Sequence, residues 1–186
     1  LSLDELIILN VRPSSQNFNI FCEQVKEISR DCFIPISAGG GIRNLDDAKK
    51  LLKNGADKIV LNSIIYSDRS TVIDIAKNLG KQCLVGSVDF KKENSIYNVY
   101  INSGEKKIKN NLQNYIQRIE DLPIGEIYLN SIDNDGTGQG LDLNALDNIP
   151  ENFNLPLIIA GGVGNWKHIY KGLFEKRVDA VSTANL

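Results

Sequence analysis

The feature that most restricts the fold is an internal echo. Pro35-Ile-Ser-Ala-Gly-Gly-Gly-Ile-Arg-Asn resembles Pro156-Leu-Ile-Ile-Ala-Gly-Gly-Val-Gly-Asn, with the Pro, Gly-Gly and Asn positions coinciding. Each copy reads as a short apolar strand, a glycine turn and a helix start, and each runs on into a second strand, Lys58–Ser63 or Ala180–Asn185. A strand–helix–strand unit recurring about half a barrel apart is what a two-fold duplicated barrel produces. Two βα units that merely share composition are the plainer explanation, and the coincidence of the punctuating residues weighs against it.

The rest of the chain extends the pattern. Further strands are expected at Glu5–Val11, Ile34–Ala38, Cys83–Phe90, Glu126–Ile132 and Leu155–Ala160, with the last strand reaching Leu186. They are apolar and β-branched without polar alternation, as in strands covered on both faces. Helical spacing places Phe21, Val25 and Ile28 on one face, and Leu45, Ala48, Leu51 and Leu52 on another, with Asn44 as N-cap and Gly55 as stop. Helices also read at Arg69–Leu79, Leu112–Glu120 and Asn165–Lys176, and Lys91–Ser103 reads as a small hairpin extension.

Repeated strand–helix units imply parallel strands with crossover helices. An eight-stranded (β/α)₈ TIM barrel takes about 250 residues. Seven strands in 186 residues, starting and ending in a strand, read as such a barrel lacking about its first βα unit and last helix. An open doubly wound sheet is the rival, and the echo weighs against it. No Pro/Ser-rich linker or charge run divides residues 1–186, which are expected to form one partial barrel domain. The absence of Met, even at Leu1, fits a trimmed chain, and an incomplete barrel exposes strand edges.

Composition narrows the partners. With 42% hydrophobic residues and a net charge of −2, the chain can bury a core and lacks the basic excess of a nucleic-acid or membrane-surface binder. Cys22, Cys32 and Cys83 are scattered without metal spacing, which favours reduced thiols in a cytoplasmic protein. His168 is the only histidine, so a multi-histidine metal site is excluded, and no metal or cofactor is expected.

Glycines after a parallel strand and before a helix let backbone N–H groups approach an anion, and the helix adds its positive end. Gly39-Gly40-Gly41 and Gly161-Gly162 both have this context, which suggests a substrate with a phosphate at each end. A purely structural turn would need the same glycines. The strand ends carry Asn10, Asn62, Ser63, Asp89, Asn130, Asp133 and Asp135, where barrel enzymes place reacting groups. Asp89 ends an apolar run, so it either binds or reacts, or pairs with Lys91 or Lys92. In Asp133-Asn-Asp-Gly-Thr-Gly, Asp133 reads as a turn former and Asp135 stays open.

Glu5, Lys58 and Glu126 each open an alternate strand. Period two then builds interior layers Glu5/Lys58/Glu126/Ala180, Ile7/Val60/Tyr128/Ser182 and Leu9/Asn62/Asn130/Ala184. Charges in a bottom layer should pair, as a polar gate through the barrel or as surface charges at strand starts.

Taken together, Pro35–Ser63, Gly125–Gly140 and Ile159–Gly164 resemble the cyclase subunit of imidazole glycerol phosphate synthase, over essentially the whole chain. The resemblance implies a lyase that works with a separate glutaminase subunit. Ammonia passes through the barrel and reacts with a bis-phosphorylated aminoimidazole carboxamide ribotide (PRFAR), giving imidazole glycerol phosphate and AICAR. It implies a catalytic role for Asp89, with a second aspartate on a first strand that this chain lacks. Asn10, Asn62, Ser63, Ser103, Asn130 and Asp135 would line the substrate site, and Gly40, Gly41, Gly136, Gly161, Gly162, Ala184 and Asn185 would surround the phosphates. Glu5, Lys58 and Glu126 match the ammonia gate, and Asp57 falls at the glutaminase interface.

Some positions depart from the family pattern. Asn10 stands in place of Asp, Asn130 of Thr, Ala160 of Ser, and Tyr128 of a middle-layer Leu, where it could narrow the channel. The departures surround substrate rather than gate, which keeps open a paralogue that amidinates a surface-polysaccharide sugar. A barrel isomerase with the same phosphate loops would need no gate. A non-catalytic barrel could keep the gate and serve only to activate the glutaminase.

Overall fold

The computed structural model describes residues 3–14 and 17–184. They fall into two compact units, one running to Gly86 and including Leu122–Gly125, the other comprising Ser87–Asp121 and the chain from Glu126 onward. The first contains β1 (Leu6–Leu9), α1 (Phe18–Asp31), β2 (Ile36–Gly39), α2 (Leu45–Lys53), β3 (Lys58–Leu61), α3 (Ser63–Ser67), α4 (Arg69–Leu79) and the opening of β4 (Leu84–Glu93). β1, β2, β3 and that opening pair in chain order, all parallel.

Local chemistry accounts for α2. The Asn44 side chain accepts the Asp47 N–H at 2.9 Å, Asp46 and Asp47 occupy the first turn, and Lys50 and Lys53 the last. Gly55, at φ +97°, lets the chain leave the helix. Ala48 and Leu51 are buried, as are Val25 on α1 and Val72 and Ile75 on α4. Every residue of β2 is buried, which is why the run carries no outward polar face.

The second unit holds the remainder of β4, then β5 (Ile96–Ile101), β6 (Lys106–Asn111), α5 (Leu112–Ile119), β7 (Glu126–Ser131), a 3₁₀ stretch over Leu143–Asn148, β8 (Leu157–Ala160), α6 (Trp166–Leu173) and β9 (Ala180–Val181). β7, β8 and β9 are parallel, whereas β4, β5 and β6 form an antiparallel meander.

The echo is a structural duplication, visible pair by pair. Leu6 faces Ile36 across β1–β2, and Ile127 faces Leu157 across β7–β8, each residue displaced by 121 positions. Leu6 N–H donates to the Pro35 carbonyl at 2.9 Å, and Ile127 N–H to the Pro156 carbonyl at 2.9 Å. One carboxylate in each unit then locks the next strand. Asp57 accepts the Ile36 N–H at 2.8 Å and donates its own N–H to the Ile36 carbonyl, and Asp179 does the same with Leu157. The glycines repeat too: a Cβ on Gly40 would meet the Asn10 carbonyl at 2.3 Å, and one on Gly161 the Ser131 carbonyl at 2.4 Å. With φ of +100° and +91°, both positions require glycine on two counts.

Elsewhere the structure corrects the sequence reading. β4 does not stop at Phe90 but continues to Glu93, because its end pairs with β5. β6 was not expected: Lys106-Lys-Ile-Lys-Asn-Asn is polar, and only Ile108 is buried. Ile28 does not join the buried face of α1. It is 41% exposed, lining a groove with Ile8, Val11 and Phe21 beside β1. Among the described residues β1 pairs with β2 alone, so an edge position accounts for its half-exposed residues. β9 is far shorter than the expected Ala180–Leu186, a range that ends in residues outside those described. Short helix α3 and the 3₁₀ stretch also carried no clear periodicity in sequence.

Candidate functional site

In the first unit, Glu5 and Lys58 stand at the starts of their strands, and their side chains pair at 2.7 Å, each about one-quarter exposed. Ser37, wholly buried on β2, donates its hydroxyl to the other Glu5 oxygen. The pairing expected of charges in an interior layer is therefore present, and the carboxylate is held on both oxygens.

At the opposite ends of these strands the first glycine loop packs tightly. Beyond the approach of Gly40 to Asn10, a Cβ on Gly41 would meet Pro13 at 2.8 Å. Asn10 braces the turn that follows it: its Oδ1 accepts the Arg12 N–H at 3.3 Å and its Nδ2 reaches Asn17 Oδ1 at 3.4 Å. Asn62 caps α3 and accepts the Ser63 hydroxyl at 3.2 Å, with both side chains half-buried. Asp57, exposed at the foot of β3, has one oxygen engaged in the strand lock.

The second unit brings Asp89 and Asn130 together. Asn130 Nδ2 donates to Asp89 Oδ1 at 3.1 Å, from the end of β7 to the point where β4 passes into its hairpin. The amide fixes the direction of the carboxyl group. Lys91 and Lys92 lie over the rings of Tyr100 and Tyr97, at 4.9 and 5.1 Å. Asp133 has a structural contact, though not the local turn bond expected: its carboxylate accepts the Lys92 N–H at 2.8 Å, tying the turn after β7 to β4. Asp135 is exposed one turn further on, its N–H donating to the Ser131 carbonyl. Ser103 lies in the exposed β5–β6 turn at φ +56°, beside Gly104, where an added Cβ would meet Ile132 at 3.1 Å.

Ser182 lies close enough to Tyr128 to act on its phenol, in keeping with the period-two layer, and Tyr128 is only 9% exposed. Burial pushes its phenol above the ordinary value, and the Asp89 and Asp135 charges add to the rise, so it stays a neutral hydroxyl at physiological pH.

The second glycine loop interlocks with the loop after β7. Gly140 N–H donates to the Gly162 carbonyl at 2.7 Å, Asn134 Nδ2 to the Gly140 carbonyl at 2.9 Å, and a Cβ on Gly162 would strike that same carbonyl at 2.2 Å. Gly136, at φ +74°, faces open space: a Cβ there would meet nothing within 4 Å. Ala184 is exposed beyond β9, and Asn185 lies outside the described residues. Among the described residues, no group of three or more His, Cys, Asp or Glu could hold a metal, and no helix is long and apolar enough to cross a membrane.

A family described as "Histidine biosynthesis protein" matches residues 1–186. The chain belongs to that family. A relative from Parasynechococcus marenigrum (strain WH8102), provisionally named imidazole glycerol phosphate synthase subunit hisF2, is 39% identical over 184 residues, 99% of this chain and 68% of its own. Relatives named imidazole glycerol phosphate synthase subunit HisF come from Lachnoclostridium phytofermentans (36% identical, covering 98% of this chain and 72% of the relative) and Streptococcus mutans serotype c (37%, covering 93% and 69%). Membership fixes the fold class as the α/β barrel of histidine biosynthesis, in keeping with the parallel strands and duplicated units.

Sequence reasoning missed two residues. Ser131 is 1% exposed, and its hydroxyl is the one buried side-chain N or O atom without a partner among the described residues. His168, weighed only as a metal residue, accepts the Gly164 N–H through Nδ1 at 3.1 Å. Aligning the echo three residues beyond its Asn would have exposed it opposite Asp47.

Proposed function

We propose that this chain is the cyclase subunit of imidazole glycerol phosphate synthase in histidine biosynthesis. The observation that carries the reading is the Asp89–Asn130 contact at 3.1 Å, in a chain whose whole length matches the family. Asp89 acts as general acid or base, moving a proton as ammonia adds to PRFAR and the ring closes to imidazole glycerol phosphate with release of AICAR. Asn130 positions that carboxyl group. Asn10, Asn62, Ser63, Ser103 and Asp135 line the substrate site. Gly40 and Gly41 take one phosphate, and Gly136, Gly161, Gly162, Ala184 and Asn185 the other.

Ammonia reacts through its nitrogen lone pair, which ammonium lacks. Delivery away from bulk water keeps the neutral form, so a glutaminase partner and a guarded path fit this chemistry. Glu5 and Lys58 serve as gate residues, Glu126 takes the corresponding post on β7, and Asp57 meets the glutaminase in a cytoplasmic heterodimer. The repeated strand lock on Asp57 and Asp179 gives Asp57 a structural task as well.

The test supplies PRFAR to the protein with ammonium, or with its glutaminase and glutamine, and follows AICAR. Turnover with both nitrogen sources is expected, and none with either would overturn the proposal.

A further inference from the structure

The duplication makes His168 informative. A shift of 121 residues carries Arg43 to Gly164 and Asp47 to His168. In both units the residue before the helix cap donates its N–H to the side chain four positions on: Arg43 to Asp47 Oδ2 at 2.9 Å, and Gly164 to His168 Nδ1 at 3.1 Å. An imidazole thus occupies a carboxylate's post. Nδ1 faces the Gly164 N–H, and Nε2 lies 3.3 Å from the side-chain amide nitrogen of Asn165, so both ring nitrogens are engaged within the loop.

The exchange alters the charge presented to an anion. The first turn of α2 carries Asp46 and Asp47, whereas that of α6 carries no acidic residue. Two carboxylates at a helix N-terminus oppose an incoming phosphate, even with Arg43 beside them. The His168 ring also packs on the neighbouring loop: a Cβ on Gly140 would lie 3.6 Å from it, and Gly140 in turn holds Gly162. One ring, bringing no carboxylate, therefore braces both glycine segments of the second loop.

We propose that His168 is a positioning residue that makes the Gly161–Gly164 loop the tighter of the two phosphate anchors, with Asp47 in the same post weakening the Gly40–Gly41 loop. The proposal rests on the reading that these loops bind phosphate. His168 holds Gly164 without placing negative charge beside the ligand. Asp47 shows that a side chain as short as Asn reaches this N–H, so His168→Asn keeps the acceptor without charge, and His168→Asp restores the first unit's arrangement.

The test titrates the protein with inorganic phosphate and follows Gly161, Gly162, Gly40 and Gly41 amides by NMR, together with the ¹⁵N resonances of the single imidazole. In the parent, the second loop should saturate at lower phosphate than the first, with Nδ1 unprotonated. His168→Asp should weaken the second loop by about tenfold or more, whereas His168→Asn should stay within about threefold; Asp47→Asn should tighten the first loop. Parent loops of equal affinity, a protonated Nδ1, or His168→Asn failing as badly as His168→Asp would each overturn the proposal. If His168→Asp fails to fold, Asp47→Asn and the imidazole resonances decide the matter. A parent that shows no response at either loop removes the phosphate reading itself, an outcome distinct from parent binding that the substitutions leave unchanged.

Discussion

In the first unit, Glu5 immediately precedes β1 and pairs with Lys58 at the start of β3; in the second, Glu126 opens β7 and Ala180 stands where Lys58 would be. Around this difference the frameworks agree. Both have a proline carbonyl accepting from the first strand, an aspartate locking the next strand, and a left-handed glycine closing on a carbonyl. What the two copies share is backbone satisfaction and close packing, which any βα unit of this kind needs. What only one copy has is a particular side-chain chemistry: Lys58 against Ala180, Asn130 against Leu9, His168 against Asp47. An unshared polar residue is therefore the better functional candidate.

The largest test concerns Asp89, held by the unshared Asn130. Asp89→Asn keeps the shape and removes the proton-transferring group, so kcat for PRFAR should fall by on the order of 10²–10⁴-fold. Glutaminase stimulation should survive; unchanged synthesis would remove Asp89 from its assigned role. Lys58→Met, which breaks the unshared ion pair, should depress glutamine-dependent synthesis more than ammonia-dependent synthesis. Equal loss under both nitrogen sources would count against a gate.

Shared residues should behave as scaffold. Asp57→Ala and Asp179→Ala each remove a charge-assisted hydrogen bond to a strand N–H, and each should cost about 1–2 kcal/mol in urea unfolding. Similar losses at the two sites support a common structural task, while an Asp57→Ala protein of parent stability leaves partner contact as its only role. A smaller difference separates Asn10 from Ser131, which occupy corresponding positions. Asn10→Ala removes a loop brace and should lower Tm. Ser131→Ala deletes a buried hydroxyl without a partner and should leave Tm unchanged or raise it.

The shared framework was legible in sequence because proline, glycine and asparagine act locally, each through its own backbone preference. The charge pairing of Glu5 with Lys58 and the Tyr128–Ser182 layer were also legible, since period two fixes which side chains face one another. β6 was not, because its stability comes from partners 5 to 14 residues away in sequence, such as Tyr100 and Glu93, rather than from its own polar residues. Nor was the loop role of His168, which depends on a ring nitrogen meeting an N–H, a relation that residue type leaves open.

The meander that β6 completes provides the gentlest test. Tyr100 donates its hydroxyl to Glu93 at 2.5 Å, and Lys107 pairs with the other Glu93 oxygen at 2.5 Å. The Glu93 hydrogen bond pushes the Tyr100 phenol up to about 12, while the Lys107 and Tyr100 contacts draw Glu93 below its usual range. A raised folded-state value means that Tyr100 contributes stability fully below the unfolded phenol's value of about 10, and that the contribution disappears as pH climbs from about 10 to 12. Glu93 has the opposite sign: its contribution is present above the unfolded carboxylate's value of about 4.3 and fades as pH falls through its lowered one. Glu93 is partly exposed, so its effect should be small, whereas Tyr100 is 8% exposed and should carry more of the alkaline effect. Hydrogen exchange should show amides of the second unit's meander loosening above about pH 10 in the parent, beyond any loosening of the meander in Tyr100→Phe. Tyr100→Phe should also remove the late-titrating phenolate absorbance. If the alkaline limb persists in Tyr100→Phe, the Glu93 contact is not its source.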